Sequence, residues 1–401
     1  MGLGAQHPPR SISKLRGDSL KLHSIGRSSG LTRPVIGRIS TSLLESKAVR
    51  ADSVLFWKNA IPPVDVSGYL AVLTPDKNPS WQAEVPLVHS VSNLDYLTDG
   101  DVVSIGPNAF VRTLYRRDSS HNFILFTDQC NSYCLMCSQP PKPVDDSGRL
   151  REHYRLVDLI DKDTPALGIT GGEPTLFKDD FIKFIDYCKA KLPSTALHIL
   201  TNGRMFYYRR FAEQLGRIDH PKLMLGIPLY SDVDSEHDYI VQARGAFEET
   251  VLGLHHLARY NVPIEIRVVI HKQSYKRLPY LAEFISRNFP FASHVALMGL
   301  ELTGFTNQNM DRLWIDPHDY QPQLEKAVKI LSWSGLQVSI YNHQLCILDP
   351  TLWPYSRRSI SDWKNSYVEE CKDCIRMEQC GGFFQSGLLK RSAFVSPFLT
   401  L

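Results

Sequence analysis

From about residue 122 onward, short apolar runs alternate with longer segments whose apolar positions recur every three or four residues. The runs are "NFILFT" (122–127), "ALGIT" (166–170), "ALHILT" (196–201), "LMLGIPL" (223–229), "IEIRVVI" (264–270) and "VALMGLEL" (295–302). Near-continuous apolar runs of this length fit strands covered on both faces, the habit of a parallel sheet. Between them, Phe247, Val251, Leu254 and Leu257 share one face of "AFEETVLGLHHLARY", which Asn261-Val262-Pro263 closes. Phe177, Phe181, Phe184, Ile185 and Cys188 share a face after the second run, so Cys188 reads as a small buried hydrophobe. Six such units predict an α/β fold, a partial (β/α)6 barrel over residues 121–310.

The preceding stretch has a different rhythm. "SVLFWK", "YLAVLT", "GDVVSIG" and "AFVRTLYR" are separated by Pro, Asn, Asp and Gly, which predicts a small mainly-β domain over 35–120. Before it, the first forty residues carry seven Lys or Arg against the single acidic Asp18, many Ser and no Phe, Tyr or Trp. That composition predicts a disordered basic tail over 1–34. A transit peptide has a similar composition, whereas a secretory signal would need an apolar core that is absent here.

Composition narrows the class. The 401 residues are 43% hydrophobic and 22% charged, enough to build a barrel with appended domains. A net charge of +3 argues neither for nucleic acid nor for a membrane surface, and no apolar run approaches a membrane span. Eight cysteines, bunched rather than spread, fit metal or cluster ligation in a reducing compartment better than a disulfide framework. A cytoplasmic location is the expectation.

The chemistry concentrates in the loops at the strand ends. Cys130, Cys134 and Cys137 come after the first strand, "GGEP" (171–174) after the second, "TNGR" (201–204) after the third, "YSD" (230–232) after the fourth, "HKQS" (271–274) after the fifth and "TGFTN" (303–307) after the sixth. The carboxyl ends of strands are where β/α barrels build active sites. Three thiolates can hold three irons of a cubane cluster and leave the fourth iron open. They can also be part of a zinc site with a distant fourth ligand, since structural zinc is closed by four protein groups. In "TGGEP", paired glycines permit close backbone approach, and Glu173 offers a carboxylate suited to an amino acid's ammonium. Near the other end, Cys346, Cys371, Cys374 and Cys380 form a second set able to close a site, with Gly381 and Gly382 free to wrap it; zinc and iron–sulfur both suit four thiolates.

The stretch from about 122 to 305 resembles the radical S-adenosylmethionine (SAM) superfamily. Cys130, Cys134 and Cys137 match its Cys-x3-Cys-x2-Cys motif, and Gly171, Gly172, Glu173 and Pro174 match its methionine-binding Gly-Gly-Glu-Pro. The resemblance implies a [4Fe-4S] cluster whose open iron chelates SAM, and reductive cleavage of SAM to a 5'-deoxyadenosyl radical that abstracts hydrogen. It makes Asn202, Ser231 and Arg267 candidates for other SAM contacts, although many relatives place the serine in a Val-Ser-Leu-Asp stretch, whereas here Pro228 precedes Leu229-Tyr230-Ser231. The second cysteine set resembles the shortened auxiliary-cluster domains of the twitch and SPASM type, implying a second [4Fe-4S] cluster in a domain over 311–401.

A closer resemblance covers most of the chain after residue 30. "TDQCNSYCLMCSQPPK", "GITGGEPTL", "GIPLYSD", "LCILDPTLWPYSRRSISDWKN" and "CGGFFQSG" are similar to the HxsC-type radical maturases of His-Xaa-Ser peptide systems. That implies a ribosomally made peptide substrate, an external electron donor and a paired radical maturase as partners. Two other readings stay open: a radical enzyme acting on a nucleotide, RNA or small molecule, and a zinc-stabilised interaction protein without catalysis. The absence of a concentrated basic patch in the core argues against RNA.

Overall fold

The computed structural model describes residues 21–59, 65–79, 84–358, 366–388 and 390–400. Eight strands build the amino-terminal sheet: β1 (His23–Ile25), β2 (Arg27–Ser29), β3 (Val35–Ser40), β4 (Ser53–Phe56), β5 (Ala71–Leu73), β6 (Leu87–His89), β7 (Val102–Ile105) and β8 (Phe110–Tyr115). Their order is β1-β8-β7-β3-β4-β5-β6-β2. The two ends of that order are separated in the chain by Gly26 alone, so one extended segment pairs with β8 through its first half and with β6 through its second, closing the sheet. A side chain at Gly26 would place Cβ 2.5 Å from the His89 carbonyl oxygen, which only glycine avoids.

This corrects the tail expected over 1–34. Residues 1–20 lie outside the described residues, but residues 23–25 and 27–29 are strand. Composition concealed them because the segment is held by backbone pairing rather than by apolar burial: only Ser24 of β1 is buried.

The second sheet has seven parallel strands in chain order: β9 (Asn122–Leu125), β10 (Ala166–Thr170), β11 (Ala196–Leu200), β12 (Leu223–Pro228), β13 (Ile264–Ile270), β14 (His294–Gly299) and β15 (Val338–Tyr341). Alternate residues such as Leu197, Ile199, Ile264, Ile266, Val295 and Leu297 are buried beneath the connecting helices in one large core. Leu254, Leu257 and Cys188 lie in that core as their periodicity predicts, with Phe247 and Val251 packed at its edge. The expected six units are therefore seven strands, and the boundary drawn at 310 cuts the sheet. β15 was hidden because Ser339 breaks "VSIY" and leaves no continuous apolar run, yet it pairs with β14 from Val295 to Met298 and comes after the helix Gln321–Trp333.

The closed amino-terminal sheet is fastened to the helix Arg149–Leu159, which comes after β9. Arg38 donates to the Leu159 carbonyl through Nε (3.0 Å) and Nη2 (2.7 Å), satisfying a helix-end acceptor. Arg112 pairs with Glu152 and Arg155 with Asp52, at 2.5 and 2.6 Å. No helix among the described residues is long and apolar enough to cross a membrane.

Candidate active site

The cysteine loop begins where β9 ends, and Asp146 ties down its start. The Asp146 carboxylate accepts from Thr127 Oγ1 (2.9 Å) and from the backbone N–H of Asp128 (2.7 Å). Burial would raise this carboxyl, but those bonds and the neighbouring Arg149 hold it below its ordinary value.

The glycine pair arises from a close crossing of two backbones. Gly172 donates its N–H to the Thr127 carbonyl and Glu173 donates to the Gln129 carbonyl, both at 2.7 Å. A Cβ on Gly172 would lie 1.9 Å from Gln129 O, and one on Gly171, whose φ is +141°, would lie 2.4 Å from Thr127 O. The glycines thus make room for the cysteine loop, a different reason from the ligand approach expected of them.

Glu173 is fully buried, and its carboxylate binds the next strand end. Oε1 accepts from Thr175 N (3.0 Å), Thr175 Oγ1 (2.5 Å) and Thr201 Oγ1 (2.7 Å), whereas among the described residues Oε2 accepts from Asn202 N alone, at 2.6 Å. Burial pushes the carboxyl up, against the pull of these bonds. Asn202 in turn donates from Nδ2 to Asn131 Oδ1 at 2.6 Å. Arg204 donates from Nη1 to Asn131 O (2.6 Å) and Ser132 Oγ (3.2 Å), and from Nε to Glu249 (2.5 Å). The "TNGR" turn is therefore a clamp on the cysteine loop.

The three thiols meet in one electrostatic neighbourhood. Burial, then the Glu173 carboxylate and Cys137, push the Cys130 thiol up to about 12. Burial, then Cys137 and Cys130, push Cys134 higher still, and burial raises Cys137. Tyr230 is buried beside them; burial, then Cys134 and Cys137, raise its hydroxyl. Arg267, on the inward face of β13, reaches Glu265 through Nη1 and Met298 Sδ through Nη2 at 3.1 Å. Ser231 does not turn toward the thiols: its hydroxyl donates to Glu236 (2.8 Å) and accepts from Val233 N (3.2 Å) at the start of the helix Asp234–Val241.

Residues 124–285 match the family model described as the radical SAM superfamily. This segment is of the radical SAM type. The chain is 26% identical over 162 residues to the Fe-coproporphyrin III synthase of Methanosarcina barkeri, a match covering 40% of this chain and 39% of that protein. It is 26% identical over 158 residues to the pre-heme d1 synthase of Dinoroseobacter shibae, covering 39% of this chain and 37% of that one. It thus spans well under half the length of these two curated relatives. Among solved structures, Streptococcus suis SuiB bound to S-adenosylmethionine aligns with a TM-score of 0.44 and 16% identity, over 64% of this chain and 59% of that one.

The match over residues 124–285 implies a [4Fe-4S] cluster and SAM, and the residues fit such a group. Buried thiols that repel one another's ionised forms are poor thiolates by themselves, and bound iron supplies the positive charge that ionises them. Among the described residues no three His, Cys, Asp or Glu side chains close on a point fit for a single ion. A cubane, which gives each thiolate its own iron, does not need them to.

Beyond the radical SAM segment, Cys346, Cys371, Cys374 and Cys380 line one cavity with Leu345, Met377 and Phe398. Backbone N–H groups of Leu345 and Gly382 donate to Cys380 Sγ at 3.5 Å, and that of Phe398 to Cys374 Sγ at 3.4 Å. Gly382, at φ +63°, is shaped for its turn, where a Cβ would meet Ser366 O at 2.7 Å. Burial raises the thiols of Cys346, Cys371 and Cys380. A second cavity, of about 70 Å³, borders this one through Gln344, Gly382 and Phe383 and extends to Ile270 and Gly299 at the barrel rim.

Proposed function

We propose that the protein is a radical SAM enzyme that modifies a ribosomally made peptide. The observation that carries this reading is the pairing of two cysteine sites in one chain: an open three-thiol loop clamped at the barrel rim, and a four-thiol cavity lined by backbone donors.

Cys130, Cys134 and Cys137 would hold the first [4Fe-4S] cluster. Glu173 Oε2, which takes only one bond among the described residues, would meet the cosubstrate's ammonium, with Asn202 and Arg267 near its other polar groups. Bound cluster and SAM supply a carbon-centred radical for hydrogen abstraction. The chain's own part is to hold the loop rigid through Arg204 and Asn131, to cover the thiols with Tyr230, and to exclude water. Cys346, Cys371, Cys374 and Cys380 would hold an auxiliary [4Fe-4S] cluster, whose potential the three N–H···S contacts would tune. The stretches similar to HxsC-type maturases favour a peptide of His-Xaa-Ser repeat type. A cytoplasmic setting, an external reductant and a paired maturase complete the proposal.

A second reading has its own support. Two of the curated relatives are named for tetrapyrrole synthesis, which favours a small-molecule substrate for the shared segment. Co-expression with peptides encoded by neighbouring genes, with mass spectrometry of each peptide, separates the two. Loss of hydrogens would indicate bond formation, and an unchanged mass would direct attention to epimerisation. Peptides left chemically intact would favour the small molecule.

A further inference from the structure

Below the thiol site, the inward face of the barrel carries a polar network. Leu197 and Ile199 are buried under the helices, so the alternation of β11 turns His198 to the opposite, inward face. The same alternation turns Glu265 inward on β13, His294 on β14 and Ser339 on β15.

Glu265 organises this network. Its Oε2 stands 2.7 Å from His294 Nδ1, and its Oε1 is bound by Arg267 Nη1 and lies 3.5 Å from His198 Nε2. A carboxylate that takes the N–H of an imidazole leaves the other ring nitrogen as the base. For His294 that other nitrogen, Nε2, already has a partner, Ser339 Oγ at 2.9 Å. For His198 it does not. Glu265 Oε1 lies 3.5 Å from the buried Nε2, near enough to favour the proton on that nitrogen although no hydrogen bond closes there, no hydrogen bond reaches Nδ1 among the described residues, and the side chain is 27% exposed.

The space around His198 is built for it. A Cβ on Gly226 would come within 3.1 Å of His198 Nε2 and 2.9 Å of Arg267 Cδ, so glycine there lets both side chains sit side by side. Among the described residues the charged group beside His198 is Glu265, with Arg267, His294 and Tyr341 around that carboxylate. Its register neighbours on β10 and β12 are Gly168 and Met224, which carry no charge.

We propose that His198 is a proton acceptor for the substrate. Nδ1 takes a proton from an N–H, O–H or S–H group of a peptide side chain held inside the barrel. The imidazole becomes imidazolium beside Glu265, and the substrate atom keeps the electron pair. This rests on the peptide reading and assigns that substrate a side-chain group with an exchangeable proton.

The test uses the full chain with both clusters loaded and measures modified peptide formed per 5'-deoxyadenosine released, a ratio that normalises for cofactor loading. In His198→Gln the ratio should fall about 10²-fold. Added imidazole should partly restore it in His198→Ala. An unchanged ratio in His198→Gln overturns the proposal, as does a loss in both variants that imidazole leaves untouched. Wild-type protein that modifies no peptide would overturn the peptide reading and this inference together, whereas active wild type with indifferent His198 variants overturns this inference alone.

Discussion

Glu173 donates its backbone N–H to the carbonyl of Gln129 at 2.7 Å, which places the end of one strand directly against the residue before Cys130. Two motifs that lie some forty residues apart in the chain are one structural unit, and its weakest point is the glycine beside Glu173.

Gly172→Ala would force Cβ to within 1.9 Å of Gln129 O, a backbone atom that cannot rotate away. The expected cost is about 3 kcal/mol or more, at or above the upper end for overpacking. Thermal unfolding of the cluster-free variant should show it, and iron uptake should fall with it. Gly148→Ala, where no atom lies within 4 Å and φ is −59°, should change stability by less than about 0.5 kcal/mol.

Arg204→Met keeps the aliphatic stem but removes the bonds to Asn131, Ser132 and Glu249. It should destabilise the fold by about 2–3 kcal/mol, the range for a hydrogen-bonded charge whose partners stay behind. Denaturant unfolding measures that cost, and the first cluster should bleach faster in air than in the wild type.

The thiols give the cluster-free protein an alkaline weakness. Cys130 keeps its proton to about 12 when folded but releases it near 9.0 when unfolded. Between those values the unfolded chain binds fewer protons, so stability present below pH 9 declines as pH rises. Raising the pH from 8 to 10 should cost on the order of 1 kcal/mol from this group alone. Urea midpoints at the two pH values, compared with those of Cys130→Ala, should show a smaller loss in the variant.

The two cysteine sites should be separable. Anaerobically prepared wild-type protein should hold about eight irons per chain, two cubanes' worth. Cys374→Ala should retain about four and still cleave SAM, with impaired peptide product. Iron analysis and product assay together check this, and full peptide modification by the variant would remove the auxiliary site from the mechanism.

The strands from β9 to β14 were legible because each overlaps an apolar run of five to eight residues. β15 was not, since Ser339 breaks its short apolar run, and β1 and β2 were not, since backbone pairing holds them and leaves no apolar signature. Around the first site, Cys130, Cys134, Cys137 and Glu173 stood out by spacing. Asp146, Asn131 and Arg204 did not, because a residue that acts through its hydrogen bonds to a distant loop has no local signal. Ser231 acts locally in this structure, its hydroxyl bonded to Glu236 and Val233 N at the start of its own helix. His198, Glu265 and His294 lie on three separate strands and become a set only once the sheet aligns them. A polar residue inside an apolar run is the one hint they leave.

The most direct test of the account is release of 5'-deoxyadenosine from SAM under a strong reductant, comparing iron-loaded wild type with Cys134→Ala. The wild type is expected to form 5'-deoxyadenosine and methionine, and the variant to form neither. An iron-loaded wild type that leaves SAM intact, or a colourless protein that carries stoichiometric zinc instead of iron, would contradict it.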